Sequence, residues 1–168
     1  MGFKKTSDLI AVSFGLNESA PNTYTQQEIA LQLDVLNNEI FVVLAVDINL
    51  LPPDALAGVD TSTAGSVTAT SQTAIGNLDA SNTIATARDF IMAGGFVDSG
   101  VSFSRTAMES YTGDVDYIAL IATNNFFVSV QGLNNLVPKA TTGRVWGYRA
   151  RADASTYAAL VQSEVLSA

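Results

Sequence analysis

Residues 40–50, Ile-Phe-Val-Val-Leu-Ala-Val-Asp-Ile-Asn-Leu, constrain the fold of this chain more than any other stretch. Every even position is a large aliphatic: Ile40, Val42, Leu44, Val46, Ile48 and Leu50. The odd positions fade from Phe41 and Val43 through Ala45 to Asp47 and Asn49. A period of two turns one whole face of a strand toward a core, whereas a helix would scatter the same residues around its axis. The pattern predicts a long strand, covered on both faces at its start and on one at its end. Val42, Leu44, Val46 and Ile48 are expected to share one core.

The neighbouring segments extend the β reading. Gln26 to Val35 alternates too, with Ile29, Leu31, Leu33 and Val35 on one face. Leu36-Asn37-Asn38-Glu39 supplies turn chemistry, so an antiparallel hairpin of 28–35 with 40–50 is expected. Residues 51–66, with two prolines, two glycines and a Thr-Ser-Thr run, read as a long exposed loop. A polar strand is expected over 66–75. Thr83 to Ile91 is ambiguous: Ile84, Ala87, Phe90 and Ile91 fit a helical face that Asn82 could cap. Short strands follow at 96–103, 116–122, 126–131 and 143–152, and the tail 153–168 reads as a helix. Seven or eight strands at turn-punctuated spacing predict an all-β chain. The architecture expected is an antiparallel β-sandwich, a single jelly roll of about eight strands with one or two short helices. Residues 17–25 are polar and proline-broken, so residues 1–25 are expected to form an N-terminal arm and 26–168 a single domain.

The chain has no histidine and no cysteine. That closes Ser-His-Asp and Cys-His nucleophilic sites and zinc sites built on imidazole or thiolate. No nucleophile elbow, Walker loop or dinucleotide fingerprint occurs, so no catalytic residue, cofactor or metal is assigned. Asp114 and Asp116 would share a face of an extended strand and could approach a calcium ion or form a glycosidase pair. Thr112-Gly113-Asp114 reads better as a turn, in which aspartate bonds its own backbone. Net charge is −8, from eight basic and sixteen acidic residues. Nucleic-acid binding needs clustered cations. The one cluster, Arg144, Arg149 and Arg151 with Lys139 nearby, reads as a solvated or salt-bridged strand face, so direct nucleic-acid binding is not expected. No run approaches the roughly 20 apolar residues of a membrane helix, and the start of the chain does not read as a secretory signal.

Charged residues make up only 14 % of the chain and hydrophobic ones 48 %. Surfaces of small neutral groups repel their own copies weakly, which suits packing against neighbours. Phe126 and Phe127 are adjacent, so one of them points away from a core covered on a single face. The strands at 28–35 and 40–50, the loop at 51–66, and the strand series 117–131 and 143–152 together form a layout. It resembles the single jelly-roll proteins that build icosahedral virus shells, without a diagnostic motif that would carry over residue roles. The resemblance implies eight strands in two sheets and lateral contacts between copies. The chain is therefore expected to be a virion structural protein, a capsid or capsid-decorating subunit. It would self-assemble with its own copies and with other capsid proteins in the host cytoplasm, and would take no small-molecule substrate and catalyse nothing. Contacts are expected at 51–66, at the arm, and near Gly113 and Asn134. Two readings compete: a β-sandwich carbohydrate-binding module with Trp146 and Tyr148 as its platform, and a hydrolase using only Asp and Glu.

Overall fold

The computed structural model describes residues 2–95, 102–106, 109–111 and 116–167. In chain order the strands are β1 (Phe3–Lys5), β2 (Ile10–Asn17), β3 (Thr25–Ala30), β4 (Glu39–Leu50), β5 (Thr61–Thr68) and β6 (Thr83–Met92). They continue with β7 (Ser102–Thr106), β8 (Glu109–Tyr111), β9 (Ala119–Ile121), β10 (Asn125–Leu133) and β11 (Ala140–Ala152), and helix α1 (Ala154–Ser167) closes the chain. Sheet A runs β1-β11-β4-β8, with β2 also on β11 and β9 also on β4. Sheet B runs β3-β10-β5-β6-β7.

All pairings are antiparallel and they are nested. β2 pairs with β11, β3 with β10, β4 with β8 and β9, and β5 with β6. The first half of the chain therefore runs back along the second in reverse order, alternating between two facing sheets. This is the jelly-roll arrangement expected from sequence. Among the described residues, eleven strands replace about eight because the first is split into β1 and β2, its counterpart on β4 into β8 and β9, and β7 is added at an edge.

The expected hairpin of 28–35 with 40–50 does not form. β3 ends at Ala30 and belongs to sheet B, whereas β4 pairs with β11 in sheet A. The reason is local: Gln32 takes a left-handed conformation (φ 55°), which breaks the strand. The Leu31 N–H donates to the Asn124 carbonyl at 2.9 Å. Leu31 and Leu33 are buried all the same, because the segment crosses from one sheet to the other and closes the end of the core.

The strand at 40–50 is present, but its even positions do not share one core. Ala45 lies opposite Trp146 and Val43 opposite Gly147, so Leu44 is an extra residue in a β-bulge. Before the bulge Phe41 and Val43 point between the sheets; after it Val46, Ile48 and Leu50 do. Ile40, Val42 and Leu44 belong instead to a second apolar cluster on the other face of sheet A. Gly147 lets the strands close here, since a Cβ would stand 2.2 Å from the Val42 carbonyl and 2.7 Å from the Phe41 ring.

That second cluster lies under α1, which forms as expected and covers it with Tyr157, Leu160 and Val161. Asp153 caps the helix, its Oδ1 accepting from the Thr156 N–H (2.8 Å) and the Ser155 hydroxyl (3.0 Å). Those bonds, the Thr156 N–H foremost, hold its carboxyl below the usual range. Near the other end of α1, the buried Glu164 accepts from the Ala122 N–H (2.8 Å) and the Thr123 N–H (3.0 Å).

Three further expectations are corrected. Residues 1–25 are not an arm outside the core: β1 and β2 are strands of sheet A, and Phe14 reaches the core between the sheets. Residues 61–66 are not loop but part of β5, central in sheet B, with Thr61, Thr63 and Ser66 buried. The chain leaves that strand at Thr68, so no polar strand continues to 75. Thr83–Ile91, ambiguous in the sequence, is strand. Ala85, Ala87 and Ile91 are buried on one face, and small alternating residues satisfy both periods until β5 supplies a pairing partner. The expected strand at 96–103 lies largely outside the described residues.

Candidate assembly surface

One end of the sandwich gathers the β2–β3 turn, the β4–β5 loop, the start of the β6–β7 connection and the β10–β11 turn. They are tied together by polar groups, of which Glu18, Asn135 and Lys139 are buried. The Glu18 carboxylate accepts three backbone N–H groups, from Thr23 (2.9 Å), Gly132 (2.9 Å) and Lys139 (2.7 Å). Asn22 and Asn135 exchange bonds. The Asn22 amide donates to the Asn135 carbonyl at 3.0 Å, and the Asn135 N–H donates to Asn22 Oδ1 at 2.8 Å. Asn135 also accepts from the Asp54 N–H (2.9 Å) and donates to the Ser62 carbonyl (2.8 Å). Asn22 and Asn134 both sit at positive φ (59° and 57°), a conformation asparagine tolerates well.

Lys139 is nearly fully buried, and its Nζ meets Asp54 Oδ1 at 2.7 Å. Asp54 accepts from the Leu136 N–H as well, at 2.7 Å. The Lys139 ammonium, then the Leu136 N–H, hold its carboxyl below the usual range. Asp60 Oδ1 accepts from the Ala93 (2.8 Å) and Gly94 (2.6 Å) N–H groups. These carboxylates hold the loops in place. Sequence reasoning missed Glu18 and Asn135 entirely and read Lys139 as part of an exposed cationic group. The one usable signal was the density of Asn, Pro and Gly at the turns.

Held out by this scaffold are large aliphatics in water: Leu51, Leu133, Leu136 (69 % exposed) and Val137 (50 % exposed). Val59 and Met92 are exposed at the same end. Loops fixed by buried bonds lose little further freedom when their tips are covered. Of the contact regions expected from sequence, the loop near Asn134, the first part of 51–66 and the end of the expected arm, with Glu18 and Asn22, lie at this end; Gly113 lies outside the described residues.

The other candidates fall elsewhere. Phe126 is fully buried between the sheets, and Phe127 is half-buried on the outer face of sheet B, opposite Thr68 and Glu28. The β5–β6 connection folds over part of that face: the Gly76 N–H donates to Ser66 Oγ, which bonds Ser129 Oγ at 2.6 Å. Trp146, Tyr148 and Ala150 share the outer face of sheet A, as expected. Ala150 is fully buried, Tyr148 joins the cluster beneath α1, and Lys5 Nζ stands 5.0 Å from the Tyr148 ring centroid. Trp146 and Tyr148 are both half-buried. Arg149 lies 3.7 Å from Glu39 and donates to the Leu31 carbonyl, and Arg151 donates to the Asn37 carbonyl. Asp116 is exposed and Asp114 lies outside the described residues. Among the described residues, no three His, Cys, Asp or Glu side chains gather as a metal site, and no helix is long and apolar enough to cross a membrane.

No family model and no curated protein matches the chain. Among solved structures, a chain from Desmodium yellow mottle tymovirus aligns over 88 % of this chain and 91 % of its own length. The identity is 14 % and the TM-score 0.32, and at that score the likeness bears no weight beside the strand order.

Proposed function

We propose that this chain is a virion structural protein, a capsid or capsid-decorating subunit that assembles with copies of itself and with other shell proteins. The observation that carries it is the rigid, apolar loop end. Leu51, Leu133, Leu136 and Val137 are held in solvent by loops fixed through Glu18, Asn135 and the Lys139–Asp54 pair. Each such side chain, already partly covered, gains roughly 1–2 kcal/mol when fully covered. Exposed aliphatics on ordered loops mark an interaction surface rather than a disordered tip. A surface poor in charge suits repeated close contacts between copies. The Glu18 and Asp54 carboxylates are engaged by donors from the loops they hold.

Electron microscopy of the purified full chain tests this reading. Regular particles or rings are expected. A clean monomer at high concentration that bound a glycan array through Trp146 would replace it with the binding-module reading.

A further inference from the structure

We propose that the outer edge of β2 is a self-pairing edge: two copies join β2 to β2, antiparallel, and continue sheet A across a two-fold axis. The proposal rests on the assembly reading above and names one contact within it. β2 pairs with β11 along all eight residues without a bulge, and among the described residues no strand lies on its other side. An open edge is a row of unsatisfied N–H and C=O groups, which proteins usually guard with charge, proline or a bulge. β1, on the same side of β11, carries Lys4 and Lys5, and the edge strand β3 carries Glu28. β2 reads Ile-Ala-Val-Ser-Phe-Gly-Leu-Asn and has none of these guards. The chain has eight basic and sixteen acidic residues, and none falls within 10–17.

The side chains fit the same conclusion. Phe14 is buried, but its inward neighbours Ile10, Val12 and Leu16 remain half-buried. On the other face Ala11, Ser13, Gly15 and Asn17 are exposed and small, so nothing bulky obstructs an arriving strand. A second copy of β2 would cover the open flank of the half-buried aliphatics. Pairing a strand with its own copy is two-fold by construction. Inward residues must meet inward residues, so paired numbers share parity. Setting Ser13 opposite Ser13 places Ile10 against Leu16, Val12 against Phe14, and Ala11 against Gly15. Two copies, each of charge −8, thereby meet along a strand that brings no like charges together.

Single cysteines test the register, because the chain has none of its own. Directly opposed strand residues lie within the roughly 4.4–6.8 Å Cα separation a disulfide spans. Ser13→Cys is expected to form a covalent dimer under mild oxidation at least tenfold faster than Gln27→Cys on β3. Ser13→Lys, an exposed change that places lysine opposite lysine, should weaken two-fold association at least tenfold in sedimentation velocity, with an unchanged melting temperature. Cross-linking of Ser13→Cys no faster than Gln27→Cys, or wild-type association by a folded Ser13→Lys, would overturn the proposal. Regular wild-type particles alongside a failed cross-link overturn β2 pairing alone and leave the shell reading standing. Efficient Ser13→Cys dimers from a chain that never exceeds a dimer support β2 pairing and sink the shell reading.

Discussion

Leu44 and Val46 stand two residues apart on β4 yet face opposite sides of sheet A. Val46 is fully buried between the sheets, and Leu44 lies half-buried in the cluster beneath α1. The bulge at Leu44 reverses which parity faces inward, so one strand serves two apolar layers. Truncations should therefore differ along the strand. Ile48→Ala is expected to cost about 2–5 kcal/mol, as for a buried aliphatic, and Leu44→Ala less, about 1–2 kcal/mol. Urea unfolding of both variants measures the difference.

The strand at 40–50 was legible because period two survives a bulge in the sequence; the bulge was not, because an inserted aliphatic looks like one more member of the run. Alternation also reports burial without naming a partner. Leu31 and Leu33 fill the core from a crossing segment, and nothing in their spacing separates that from a hairpin strand. Residues 61–66 read as loop because Thr-Ser-Thr-Ala-Gly-Ser carries little hydrophobicity. Their burial depends on long-range partners such as Ser129, which no local window contains. The loop end shows the same division. Leu51 and Val59 lie in the 51–66 segment that the composition marks as a contact region, whereas Glu18 acts on groups more than a hundred positions away.

The Lys139–Asp54 pair should make the loop end sensitive to acid. Asp54→Asn leaves a nearly fully buried ammonium without its anion and is expected to cost about 3 kcal/mol at pH 7. Asp54 has a depressed folded-state pKa, so its contribution is complete above the unfolded value near 4. It is lost as pH falls through the folded value. Chemical denaturation of wild type and Asp54→Asn at pH 7 and pH 3 should show the gap narrowing in acid.

Helix α1 should be the part of the fold easiest to release. Glu164→Ala removes the acceptor for the Ala122 and Thr123 N–H groups and is expected to cost about 1–3 kcal/mol. Faster hydrogen exchange should appear across 154–167 and at 122–123, leaving β10 protected. Exchange accelerating equally in β10 would show that α1 and the sandwich unfold together.

Thr63 should be a stabilising position. Its hydroxyl is buried in sheet B and has no hydrogen-bond partner among the described residues, a state that costs free energy in the fold. Thr63→Val exchanges it for a methyl of similar size and is expected to raise stability by about 1 kcal/mol. Thermal melting of the two chains checks this.

Assembly through the rigid loop end is tested most directly by sedimentation velocity of wild type beside Leu136→Asp, a change at a side chain 69 % exposed in the single chain. Wild type should sediment as particles of many copies, while Leu136→Asp remains small with an unchanged melting temperature. A wild-type chain that stays monomeric at every concentration, or a Leu136→Asp variant that assembles as wild type does, would contradict the account.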